Sequence, residues 1–458
     1  MPLIAPTRTL LLGSGGREHA LAWKLAAEPG GNEIIVAPGG DGMAEEPRVR
    51  CLPDVDPVDP VAVVAAARSV QAELVVVGPE APLAAGVSDA LLDVGIPVFG
   101  PTRAAARIET SKAFCHEIAE ATGVPMAMAE TFADHDAALD LAREMDASGL
   151  GIVVKADGLA GGKGVTVCES LDDARVALRA AFAARRPESD TRAPVVVIEQ
   201  RLQGREASVI ALCDGETALA LPAARDHKRL LDGNRGPNTG GMGAYSPIPD
   251  VPEPLVDWIV EQIHRPVLAE LARRGTPFRG ALYAGLILTT DGPVLLEFNA
   301  RFGDPETQVV LPRLAVALGP LMLAAARGEL GSAARSLGLE AHRLPATGEA
   351  ALAIVLAAAG YPGEVRRGDR IEGLAAARDA RCLVFHAGTR REGDGYVTDG
   401  GRVLSVVARG PDLPAARARA ERGAEMIRFE GAQRRHDLGA TFFIPPAEAV
   451  AAEARIIR

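Results

Sequence analysis

Only five of the 49 basic residues in this 458-residue chain are lysines: Lys24, Lys112, Lys155, Lys163 and Lys228. The others are arginines. A genome-wide arginine bias is the plain explanation for the ratio. A compact ammonium on a flexible stem, however, follows a moving phosphoryl group in a way that a rigid guanidinium fork does not. All of the five except Lys24 fall in stretches whose composition could do chemistry.

The first such stretch is 152–167, IVVKADGLAGGKGVTV. Val-rich runs at both ends read as two short strands. The loop between them, 157–164, carries Gly158, Gly161, Gly162 and Gly164. Glycines let backbone N–H groups turn toward one point and let a ligand approach closely. With Lys155 at the strand end and Lys163 near the tip, this suits a polyphosphate. Taken alone, such a hairpin is better read as a mobile loop with solvated lysines. The stretches downstream reverse that reading.

The second stretch is 226–247, DHKRLLDGNRGPNTGGMGAYSP, which has no hydrophobic period. So long a segment without regular structure inside a compact domain points to an ordered substrate loop. The third is PVLLEFNARFGDPETQ, whose start reads as a strand over 294–299. Residues two apart on a strand share a face, so Glu297 and Asn299 point together while Phe298 packs behind. A carboxylate and an amide oxygen are hard ligands for Mg²⁺ or Mn²⁺ once phosphate oxygens and water complete the shell. Arg301 adds a fork for a carboxylate or phosphate. Asp304 is expected to cap a helix begun by Pro305.

These residues need a scaffold. Residues 9–12 form an apolar run that ends in GSGGREHA and a helical pattern. A G-x-G-x-x-G dinucleotide fingerprint from Gly13 fails because Glu18 stands where its third glycine belongs. What remains is an anion-capable turn at a helix N-terminus. Further strand–helix alternation through residue 100 predicts an open parallel sheet of Rossmann type, with ligands beyond the strand C-termini at 13–18, 38–42 and 78–83. A β-α-ββ-α-β block follows as a small lobe, then a helix over 255–274. The tail from 336 mixes strands with an Arg/Ala-rich helix and shows no catalytic constellation.

Composition narrows the function. Of the residues, 48% are apolar and 24% charged, which fits an ordinary globular chain of several domains. A net charge of −11 argues against nucleic-acid binding by bulk electrostatics, though not against a nucleotide substrate. No apolar run has the length of a membrane span, and the N-terminus does not resemble a signal peptide. Cys51, Cys115, Cys168, Cys213 and Cys382 are scattered, as expected for reduced thiols in a cytoplasmic protein.

With these stretches in this order, the chain resembles the ATP-grasp ligases, and more narrowly the phosphoribosylamine–glycine ligase (glycinamide ribonucleotide synthetase) family. The motifs that carry the resemblance are GSGGREHALAW, VGPEAPL, SKAF, VVKADGLAGGKGV, DHKR, GPNTGGMGAYSP and EFNARFGDPETQ. Each is unspecific alone; their joint order is specific. The resemblance implies an α/β and α+β multidomain chain: a Rossmann-like domain over 1–107, an ATP-grasp core over 108–335 with a small ATP lobe at 124–202, and a mixed C-terminal domain over 336–458. It implies a cytoplasmic enzyme of purine synthesis, a monomer or weak homodimer. The reaction joins glycine to 5-phosphoribosylamine at the expense of ATP, through glycyl phosphate.

The resemblance also implies residue roles. Lys112, Lys155, Gly158, Gly161, Gly162, Lys163 and Gly164 would attend ATP, with the loop closing as a lid. Glu199 and Leu202 would form the adenine hinge, Glu206 would bind ribose, and Glu297 and Asn299 would hold the metal. Lys163, Asp226 and Arg301 would be catalytic, with His227 and Lys228 beside the glycine. Gly13, Gly15, Gly16, Arg17, Glu18, Pro79, Glu80, Pro237, Asn238, Thr239, Gly240, Gly241, Met242 and Gly243 would hold phosphoribosylamine. Two positions depart from the family pattern: Gln200 where a second acidic residue is frequent, and Gly40-Asp41 where Asn is common. For His19 and His227, structural and catalytic roles both stay open. The competing readings are an ATP-grasp ligase for another acid–amine pair, a nicotinamide oxidoreductase and a non-catalytic ATP-binding regulator.

Overall fold

Leu10, Leu11 and Leu12 are all fully buried, because a parallel strand covered by helices on both faces has no wet side. Each such burial contributes about 2 kcal/mol relative to exposure. Their strand, Arg8–Gly13, is central in a five-stranded sheet of order Val49–Cys51, Glu33–Pro38, Arg8–Gly13, Leu74–Val77, Val98–Phe99. All neighbouring pairs are parallel. The order reverses beside Arg8–Gly13, so Gly13 and Gly78 leave adjacent strands at the crevice where such sheets take ligands. The expected Rossmann-type domain is present in this computed structural model, which describes residues 4–159, 164–183, 194–339 and 342–440. The stretch 78–83 is less of a turn than expected: the chain is helical again from Glu80–Ala85, and Gly86 at φ +85° separates it from Val87–Asp93.

The small lobe is a four-stranded antiparallel sheet of order Ala129–Phe132, Val196–Gln200, Ile152–Ala156, Val165–Cys168. Ile152, Val154, Val196 and Ile198 pack under the helices His135–Ala147 and Leu171–Ala183. The alternation of strand side chains therefore turns Lys155 and Glu199 to the other face. The larger lobe is also antiparallel, in the order Ala218–Ala220, Arg205–Asp214, Arg279–Thr289, Gly292–Asn299. The expected helix over 255–274 runs from Glu253 to Arg273, with a π-helical segment at Val260–His264.

The stretch 226–247 corrects the sequence reading. It is ordered, as expected, but it is built of short strands: Arg225–Asp226, Arg229–Leu231, Arg235–Asn238 and Gly243–Ser246. Strands this short establish no hydrophobic period. The first and last join Ala350–Ala357, Arg402–Gly410 and Leu383–His386 in one sheet. The C-terminal sheet thus reaches back across the boundary expected at 335, and it carries the loop of 238–243 at its edge. Among the described residues no helix is long and apolar enough to cross a membrane.

Candidate functional site

Glu297 and Asn299 lie on one face of the strand Gly292–Asn299, opposite Gly285 and Tyr283, with Phe298 buried behind them. Glu297 accepts no hydrogen bond from the described residues. Burial would raise its carboxyl, but Lys228, Lys155, Lys112 and Arg301 together hold it below the usual range. Four cations thus bear on one carboxylate, a set of donors that can be shared with phosphate oxygens. Asn299 Oδ1 accepts from Arg301 Nη2 at 3.2 Å, and a carbonyl oxygen keeps a second lone pair. Among the described residues no three His, Cys, Asp or Glu side chains gather to hold a metal by themselves. The donor set therefore fits a hard divalent cation that takes its remaining oxygens from a bound phosphate and water.

Each cation is held by a specific partner. Lys155 Nζ is 2.7 Å from Glu199 Oε1 and donates to the Leu296 carbonyl at 3.0 Å. His116 Nε2 stands 2.7 Å from the same Glu199 oxygen. Lys112 donates to the Gly158 carbonyl at 2.8 Å. Its helix, Lys112–Thr122, is capped by Ser111, and the Ala113 N–H donates to Asp157 Oδ1. Arg301 lies 3.1 Å from Glu109 and 3.4 Å from Glu80, both of which help keep it charged in spite of burial. Lys228 pairs with the half-exposed Glu206 at 2.8 Å. Against the desolvation that would lower it, Asp226 and Glu206 raise the Lys228 ammonium. Burial, with Glu306 and Glu206 adding to it, pushes the Asp226 carboxyl up to about 7 against the pull of Lys228.

A second group of elements meets at the switch point. The helix Gly16–Ala27 begins there. Glu18 Oε2 accepts from the Gly15 N–H at 2.7 Å, the N3 half of a capping box, and its other oxygen takes Arg17. Arg17 also donates to the Phe302 carbonyl at 3.0 Å. A Cβ at Gly16 would sit 2.9 Å from Gln308 Nε2, and one at Gly241 2.5 Å from Pro305 Cδ. The turn 13–17, the segment 302–308 and the loop 238–243 are therefore in close approach, which only glycine at these places permits.

Comparison with known proteins decides the family. Residues 7–109 match the N domain of phosphoribosylglycinamide synthetase, 110–307 its ATP-grasp (A) domain and 351–441 its C domain. The chain belongs to this family. It is 48% identical to phosphoribosylamine–glycine ligase of Streptomyces coelicolor over 94% of this chain and 99% of that one. The corresponding protein of Phenylobacterium zucineum is 45% identical over 94% of this chain and 98% of its own. The crystal structure of phosphoribosylamine–glycine ligase from Thermotoga maritima superposes with a TM-score of 0.74 at 31% identity, covering 94% of this chain and 99% of that one. A biotin carboxylase from Campylobacter jejuni shares the fold alone, with a TM-score of 0.67 at 15% identity over 98% of this chain and 99% of its own.

Within this phosphoribosylglycinamide synthetase frame, most of the residues singled out from sequence fall into three groups. Lys112, Lys155, Gly158, Asp226, Lys228, Glu297, Asn299 and Arg301 come together around Glu297. Gly13, Gly15, Gly16, Arg17, Gly240 and Gly241 meet at the switch point. Gly161, Gly162 and Lys163 lie outside the described residues. Other positions are already engaged within the fold. Glu18 is 2% exposed and its carboxylate closes its own turn. Met242 is fully buried against Leu230, Ala357 and Tyr361. Asp304 caps no helix: the helix starts at Glu306 without a side-chain cap, and the Asp304 carboxylate takes Gln308 and Arg402 instead. The turn 38–42 is covered by the C-terminal domain, where Asp41 Oδ2 accepts from the Arg391 N–H at 2.6 Å and Gly42 abuts His386. His19 is wholly buried, and its Nδ1 accepts from the His386 N–H, a structural use.

The sequence reading missed Glu109, His116, Tyr361 and Arg402. Glu109 and His116 flank the SKAF motif, which was the available signal. Tyr361 and Arg402 had none, because their contacts with Gly240 and Asp304 depend on the C-terminal sheet folding back.

Proposed function

We propose that this chain joins glycine to 5-phosphoribosylamine with consumption of ATP, giving glycinamide ribonucleotide, ADP and phosphate. The observation that carries this reading is the convergence of Lys112, Lys155, Lys228 and Arg301 on Glu297, beside a glycine-rich loop at the switch-point crevice. The named relatives support the substrate pair. In this reading a glycine carboxylate oxygen attacks the γ-phosphorus of ATP and ADP leaves. The sugar amine then attacks the acyl carbon of glycyl phosphate, phosphate leaves and the amine nitrogen loses a proton. Phosphoryl transfer needs alignment and charge neutralisation more than covalent help from the protein.

Lys112, Lys155, Gly158, Gly161, Gly162, Lys163 and Gly164 are assigned to ATP, with Glu199 and Leu202 at the adenine edge and Glu206 at the ribose. Arg301, His227 and Lys228 are assigned to glycine and the phosphate it receives. Asp226, whose carboxyl burial pushes up to about 7, is assigned to the same glycine pocket as a catalytic carboxylate. Gly13, Gly15, Gly16, Arg17, Pro79, Glu80 and the loop 237–243 are assigned to phosphoribosylamine. Glu297 and Asn299 would hold Mg²⁺ or Mn²⁺, which supplies charge neutralisation at phosphate oxygens. The proposed domain division is 1–107, 108–335 and 336–458, in a cytoplasmic monomer or weak homodimer.

The test is ADP release from Mg²⁺ and ATP with glycine alone, with glycine and freshly made phosphoribosylamine, and with alanine in place of glycine. Strong release only with the glycine–phosphoribosylamine pair is expected. Release with a different acid–amine pair would keep the fold and overturn the substrates.

A further inference from the structure

Gly240 is exposed and belongs to none of the short strands around it, yet both of its backbone polar groups are held by side chains of the C-terminal domain. Its N–H donates to the Tyr361 hydroxyl at 2.9 Å, and its carbonyl accepts from Arg402 Nη1 at 2.5 Å. The same Nη1 donates to the Asp304 carbonyl at 2.8 Å, and Nη2 to the Asp304 carboxylate at 2.9 Å. Asp304 in turn accepts from Gln308 Nε2 at 2.7 Å, the amide that abuts Gly16. One guanidinium therefore joins the loop 238–243, the segment after Arg301 and, through Gln308, the first βα turn.

The local sequence supports this arrangement. Arg402 opens the strand Arg402–Gly410, where the register against Ala350–Ala357 is irregular. A Cβ at Gly401 would lie 2.5 Å from the Tyr361 ring, so glycine there lets the ring come in under the loop. A guanidinium serves three acceptors in fixed directions, which an ammonium cannot reproduce at one position.

We propose that Arg402 and Tyr361 are positioning residues for the amine substrate. They fix Gly240, and with it the glycine-rich loop, over the switch-point crevice. This rests on the function proposed above. The loop and the first βα turn that they tie are those assigned to phosphoribosylamine, and the loop also bonds the His227 and Lys228 carbonyls on the glycine side; Lys112 and Lys155 are anchored elsewhere, to Gly158, Leu296 and Glu199. The effect is therefore directed at phosphoribosylamine and spares ATP.

The experiment measures KM for phosphoribosylamine, glycine and ATP, together with thermal stability, in Arg402→Met, Arg402→Lys and Tyr361→Phe of the full chain. Loss of the charged bonds in Arg402→Met is expected to raise KM for phosphoribosylamine by about tenfold or more. KM for ATP should stay within about twofold, and KM for glycine should rise less than that for phosphoribosylamine. Tyr361→Phe keeps the ring and loses one neutral bond, so a rise of about threefold to tenfold is expected for the same substrate. Arg402→Lys should recover part of the loss. Equal shifts in all three constants, or none in the folded Tyr361→Phe protein, would overturn the proposal. If Arg402→Met fails to fold, Tyr361→Phe alone decides. A wild-type protein without phosphoribosylamine-dependent turnover would instead defeat the functional reading, so the two failures are distinguishable.

Discussion

The Lys155 ammonium and the Glu199 carboxylate are 2.7 Å apart on neighbouring strands of the small lobe, and both side chains are almost wholly buried. Removing one partner of such a pair leaves an uncompensated charge in a site closed to water. Lys155→Met or Glu199→Gln is therefore expected to destabilise the chain by about 3 kcal/mol. The double variant should lose less than the sum of the two. Urea unfolding of the three proteins checks this, and additive losses would mean the charges are not coupled.

Glu297 gives the second prediction. Its carboxylate lies among four cations without a hydrogen bond from the described residues, a state suited to a bound cation and polyanion. Glu297→Gln is expected to keep the fold and to reduce glycine-dependent ATP turnover at least a hundredfold, an order of magnitude typical of lost electrostatic stabilisation, about 10²–10³. Turnover against Mg²⁺ concentration, with circular dichroism to verify folding, is the measurement. Near-wild-type turnover would move the metal site elsewhere.

Arg301 holds two carboxylates at once, Glu109 at 3.1 Å and Glu80 at 3.4 Å. Burial already raises the Glu109 carboxyl, so taking away the guanidinium exposes that cost. Arg301→Ala should therefore lose stability as well as activity. Arg301→Lys should keep most of the stability while turnover falls, because an ammonium supplies charge without the fork. Denaturation midpoints read beside kcat separate these outcomes; an active Arg301→Lys would remove the fork from the argument.

The acid limb of stability has a calculable sign. His264 is completely buried, and desolvation lowers its pKa to about 4. The folded chain thus binds fewer protons there than the unfolded chain. This contribution is fully present above about pH 6.5 and is lost as the pH falls through about 4, by about 3 kcal/mol in all. Urea midpoints from pH 7.5 to pH 5 should fall, and more gently in His264→Asn. An identical slope in the variant would assign the acid sensitivity to other groups, such as His386.

Much of the fold was legible in the residues. The apolar runs at 9–12 and 74–77 announce parallel strands because both faces of such strands must be buried. The alternation around Lys155 and around Glu297 set which side chains share a face, since strand geometry repeats every two residues whatever the surroundings. The motif order was enough to name the family. The two-to-four-residue strands within 225–246 were not legible, because their hydrogen bonds go to one another and to Ala350–Ala357 far along the chain.

By itself, then, the sequence determined the local elements, the inventory of cations and carboxylates, and the glycines that permit close approach. Only the tertiary structure decided which charges meet. Lys155 finds Glu199, Arg301 finds Glu109 and Arg402 finds Gly240 across 44, 192 and 162 positions of chain. Local propensity acts over one or two turns of backbone. Pairing at these separations is fixed by sheet register and domain packing, which bring the C-terminal sheet back over the loop at Gly240.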